Sequence, residues 1–99
     1  MELKGLFFIP CSYEESLELQ PLLFAAGYMW GKGGTKILHY TNIKYLIGQE
    51  HKTLLYGESL AIMQEKAQEH KIPIYTYAEV MATQTHPMLL IMEKLKGYK

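Results

Sequence analysis

Cys11 and Ser12 stand side by side behind a short apolar run, Leu6-Phe7-Phe8-Ile9, and Pro10. A thiol or hydroxyl becomes a nucleophile only when a base lies beside it and a further group orients that base. The sequence places no histidine or glutamate to do this. Ser12 followed three residues later by Glu15 is instead a capping-box pattern, and Cys11 reads as a half-buried small residue. Glu14, Glu15 and Glu18 could pair for acid–base work. Their position at the start of a helix is already explained by the positive end of its dipole. His39, His51, His70 and His86 are scattered, without the i, i+4 spacing of a helical metal site. Hence no catalytic residue, no metal and no cofactor is expected.

Composition narrows the chemistry further. The ten basic residues are all Lys and the ten acidic residues are all Glu, for a formal charge of zero. Arg forks on phosphate and Asp-based triads or metal ligands are excluded by type. A blanket electrostatic hold on nucleic acid is excluded by balance. One cysteine excludes an internal disulfide.

The best candidate for a ligand-binding surface is Trp30 with Lys32, Gly33, Gly34, Lys36 and Tyr40. A glycine turn exposes backbone N–H groups that can hold an anion, and the lysines add charge. The spacing is not that of a P-loop. Trp30 and the tyrosines at 40, 45 and 56 supply ring faces on which a base can stack. A second surface, for a protein partner or a second copy of the chain, is expected at Met88, Leu89 and Met92. These lie in an apolar run spaced for a helix face.

The elements that must position these groups follow from patterning. Leu6–Ile9 predicts a buried strand, and Ser12 opens a helix over 13–26. Its apolar face is assigned to Leu17, Leu22, Phe24 and Ala25, with Gly27 at its end and Pro21 as a kink or break. Extended segments are expected at 28–30, 37–40, 43–47 and 53–56. Ser59 caps a helix over 60–70 with the stripe Leu60, Met63 and Ala67. Ile72–Tyr75 predicts a strand, placed at an edge by Pro73. Thr76 and Glu79 form a second capping box, and Pro87 starts a last helix. Strands alternating with helices predict an α/β fold with parallel strands joined by crossovers. The alternative is an α+β fold with an antiparallel meander in 28–57.

This order of signals resembles a BRCT domain over residues 3–82. Leu3-Lys4-Gly5 before the first strand is similar to that family's opening. Gly27 stands at the end of the first helix, and Ile43-Lys44-Tyr45-Leu46-Ile47-Gly48 resembles its third strand. Residues 66–81, from Lys66 to Met81, resemble its second helix, fourth strand and third helix in sequence. The resemblance implies a four-stranded parallel sheet flanked by three helices, with 83–99 as a C-terminal helical extension. It also implies a non-enzymatic interaction module that docks a protein partner or a DNA end in replication and repair. Phosphopeptide reading is not implied. Pro10 and Cys11 stand where readers carry Ser/Thr-Gly, Met63 stands where they carry Lys, and the last helix has no tryptophan. Gly27-Tyr28-x-Trp30-Gly31 before a glycine turn also resembles small bacteriophage proteins that sequester a signalling nucleotide or block a host protein. No segment has the length of a membrane span. The expected setting is cytoplasmic, or nuclear in a eukaryote.

Overall fold

A computed structural model describes residues 5–82. Strand β1 (Phe7–Pro10) is followed by helix α1 (Tyr13–Ala25) and the short strand β2 (Met29–Trp30). Then come β3 (Tyr45–Gly48), β4 (Thr53–Gly57) and helix α2 (Leu60–His70). A third helix, α3, begins at residue 77 and is described as far as 82. The four strands form one sheet in the order β1-β3-β4-β2. The first two pairs are antiparallel and β4 with β2 is parallel. β1, β4 and β2 therefore run one way and β3 the other. Ile74 adds an isolated parallel bridge to Phe8 on the free side of β1, so the strand expected over 72–75 is reduced to a single bridge at the sheet edge.

The chain is thus an α/β domain with a mixed sheet, and the all-parallel sheet expected from the sequence is corrected. The crossovers do join strands that point the same way: α1 leads from β1 to β2, and α2 from β4 to the Ile74 bridge. They do not make neighbours, because β3 and β4 fill the space between. Four residues separate Gly48 from Thr53. A connection that short closes only an antiparallel pair, since a parallel one needs a crossover of roughly a dozen residues or more. The meander alternative holds for β3 and β4 alone. β2 is parallel to its neighbour, and residues 37–40 form no strand.

Side chains alternate across the sheet and build two cores. Phe7, Ile9, Leu46 and Leu54 pack with Leu19 and Leu23 of α1, Tyr28, Ile43 and Val80 of α3. Phe8 and Tyr45 pack with Met63 and Ala67 of α2 on the opposite face. This is a three-layer arrangement, α1 and α3 over one face and α2 over the other. Both expected capping boxes are made. Ser12 N–H donates to Glu15 at 2.9 Å and Glu15 N–H to the Ser12 hydroxyl at 3.1 Å. Thr76 and Glu79 do the same at 3.3 and 3.1 Å.

α1 departs from its expected face. Its buried residues are Ser16, Leu19, Gln20 and Leu23, spaced i, i+3, i+4, i+7. Leu17, Leu22 and Phe24 are half-buried and Ala25 is exposed. Pro21 lies within the continuous helix on its exposed side, so it neither divides the helix nor meets the core. In α2, Met63 and Ala67 are buried as expected, whereas Leu60 is exposed. The expected helix in 83–99 lies outside the described residues. Among those described, no helix is long and apolar enough to cross a membrane.

Candidate functional site

The chain leaves β2 at Trp30 and does not regain regular structure until Tyr45. Its first turn closes on itself: Trp30 N–H donates to the Gly34 carbonyl at 3.0 Å, and Gly33 N–H to the Trp30 carbonyl at 2.7 Å. Gly33 and Gly34 adopt φ of 91° and 94°, the left-handed region that glycine enters without steric penalty. The Gly33 amide is thereby engaged within the turn. Lys32 and Lys36 are exposed. Trp30 Nε1–H donates to the Lys36 carbonyl at 2.8 Å, so the indole holds the second lysine's backbone in place.

A series of rings continues from there. Phe24 meets Trp30 edge-on at 6.0 Å between centroids, Trp30 meets Tyr56 at 6.2 Å, and Tyr56 meets Tyr40 at 5.6 Å. Such geometry contributes about 0.5–1.5 kcal/mol per pair beyond burial. Trp30 and Tyr56 are half-buried against the first core. Tyr40, at the end of the series, is 48% exposed. The structure therefore brings Trp30, Lys36 and Tyr40 to one edge of the α1 face, with Tyr56 between the rings. Tyr45 lies on the opposite face, in the α2 core.

What fixes this loop is a residue that patterning overlooked. Gln20 is fully buried in α1. Its side-chain carbonyl accepts from Leu38 N–H at 2.6 Å, and its amide donates to the Leu38 carbonyl at 3.0 Å. A side chain thus supplies the two hydrogen bonds that a neighbouring strand would give. This ties 37–40 to α1, although those residues join no strand. The readable signal was a polar residue on the i, i+3, i+4, i+7 face of an otherwise apolar helix.

The other candidates stay apart. Cys11 is half-buried at the end of β1, and burial, then the nearby Glu15 charge, pushes its thiol pKa up to about 12. A thiol so raised remains protonated at neutral pH and is a poor nucleophile. Glu15 is committed to its cap, and Glu18 accepts from the Tyr77 hydroxyl, joining α1 to α3. His39, His51 and His70 are exposed, and among the described residues no three His, Cys, Asp or Glu side chains cluster as metal ligands. Met88, Leu89, Met92 and His86 lie outside the described residues. No protein family, curated protein or solved structure matches this chain.

Proposed function

We propose that the chain is a non-enzymatic interaction module that docks a DNA end with unpaired bases, using the edge formed by Tyr40, Tyr56, Trp30, Lys32 and Lys36. The observation that carries this reading is the exposed Tyr40 ring at the end of the ring series, on a loop held by buried Gln20. A base stacked on Tyr40 gains roughly 1–3 kcal/mol, and the two lysines beside Trp30 face the phosphates on either side. The neutral overall charge suits a local grip. In this reading binding of a single-stranded overhang falls with salt at a log–log slope of about −1.4, as expected for two neutralised phosphates. Fluorescence anisotropy with a labelled overhang duplex tests it, and a blunt duplex of the same length that binds equally well would refute it.

A second reading is sequestration of a free nucleotide, favoured by the narrow footprint of one exposed ring and two lysines. It predicts that a nucleotide raises the melting temperature while the overhang duplex does not.

A further inference from the structure

The face of the sheet opposite the aromatic edge carries a groove of about 630 Å³. α2 covers this face only in part. Its floor is Phe8, Tyr45, Ile47 and Leu55, closed at the sides by Leu6 and Ile72. Leu6 and Leu55 are exposed, although both are apolar and aim into it. Gly31 permits the approach, since a side chain there would stand 2.9 Å from a Leu55 methyl.

The charge on the rim comes from two lysines. Lys66, His70 and Lys71 line the groove, and among the described residues no carboxylate does. Glu69 stands beside His70 at 3.9 Å, outside the lining, where both side chains are exposed. A basic residue in the last turn of a helix is explained by the helix dipole alone. Lys66 is not in that turn. Lys71, in the left-handed region at φ 52°, ends the helix. The amides of Lys71 and Ile72 both donate to the Ala67 carbonyl, which occupies one of the helix's terminal acceptors. Lys66 and Lys71 thus line a groove with an apolar floor, and its volume falls in the range of small-ligand sites, about 300–1,000 Å³.

We infer that this groove binds a small amphiphilic anion, an apolar tail lying on Phe8, Ile47 and Leu55 with its carboxylate at Lys66 and Lys71. The inference does not rest on the DNA-end reading, because the two surfaces lie on opposite faces of the sheet.

The probe is sodium decanoate, kept below its micelle concentration and titrated into the 99-residue chain with methyl NMR observation. The expected result is saturable shifts at the Leu6, Ile47, Leu55 and Ile72 methyls. Methyl decanoate, which has no charge, binds several-fold more weakly. Lys66→Glu and Lys71→Glu each weaken decanoate about two- to fivefold, the range of an exposed ion pair. Leu55→Asp, at an exposed strand position, abolishes binding, and Tyr40→Ala leaves it unchanged. Equal affinity for the ester would overturn the inference, as would shifts spread over the whole surface. So would methyl shifts at the groove caused by an acidic peptide but not by decanoate. If Leu55→Asp does not fold, the two lysine variants decide the matter on their own.

Discussion

The ring of Tyr45 fills the space that a side chain at Gly57 would need, directly across the β3–β4 ladder. Phe7 does the same over Gly48, its partner on the other side of β3. Each aromatic lies over a bare backbone position, one on each face of the sheet. β3 thereby anchors both cores through glycine contacts. A methyl group at Gly57 must push Tyr45 off its site. Gly57→Ala is expected to destabilise the fold by about 1–3 kcal/mol, the usual cost of overpacking. In a double-mutant cycle with Tyr45→Leu, part of that loss should disappear. Urea unfolding measures both, and a Gly57→Ala protein as stable as the parent would show that the ring has room to move.

Gln20 makes a second prediction. Gln20→Leu keeps the volume but leaves the Leu38 N–H and C=O without the partners they have now. An unsatisfied buried group costs about 1–3 kcal/mol. Since the loop carries Lys36 and Tyr40, the loss should be accompanied by faster amide hydrogen exchange at Leu38 and its neighbours. Unchanged exchange there would mean that the loop is held by its ring contacts alone.

Cys11 predicts a dependence on alkaline pH. Its thiol lies at about 12 in the folded chain against an ordinary 9.0. A group whose folded value is raised contributes stability that is complete below the unfolded value and declines as pH rises toward the folded one. Stability should therefore be level up to about pH 9 and fall above it. Tyr28, whose phenol is pushed up by burial, adds to the same fall. Cys11→Ala should flatten the decline in melting temperature between pH 9 and 11 without removing it. Alkylation of Cys11 by iodoacetamide at pH 8 should likewise be slow beside that of a free thiol. Rapid alkylation would contradict the protonated, half-buried thiol.

The parts of the fold governed by local rules were legible in the sequence. The Ser12–Glu15 and Thr76–Glu79 boxes, the end of α1 near Gly27 and the edge placement of Pro73 depend on neighbours a few residues apart. Strand direction depends on distant segments. There the four-residue link between Gly48 and Thr53 was the decisive and overlooked signal, because it is too short for a crossover. The buried face of α1 was misread for a related reason. Ser16 and Gln20 look like solvent positions until their partners are known. The Ser16 hydroxyl donates to the Tyr13 carbonyl at 2.6 Å, and Gln20 bonds a backbone 18 residues away. At the candidate site, Trp30, Lys36 and Tyr40 were chosen by type and proximity, and the structure does bring them together. Tyr56 and Gln20, which connect and secure them, come from elsewhere in the chain. The cationic groove joins residues from Leu6 to Pro73, so no local pattern could announce it.

Trp30 and Tyr40 should divide their work. Trp30 is half-buried, gripped edge-on by Phe24 and Tyr56, and its N–H is committed to Lys36. Trp30→Ala should lower stability by about 1–3 kcal/mol, since a packed ring is lost. Trp30→Phe keeps one ring but loses part of the packing together with the hydrogen bond to the Lys36 carbonyl, the bond alone being expected to cost about 1 kcal/mol. Tyr40 is the exposed member and makes one ring pair only, so its removal should lower the melting temperature by a few degrees, less than Trp30→Ala does. If the edge stacks a base, Tyr40→Ala weakens overhang binding by about tenfold or more, and Tyr40→Trp restores it. Lys32→Glu and Lys36→Glu should reduce the salt slope, each by about 0.7. Thermal melts and anisotropy titrations on the same variants separate the two roles. Tyr40→Ala with full affinity would remove the aromatic edge as the binding surface, whatever Trp30→Ala does to the fold.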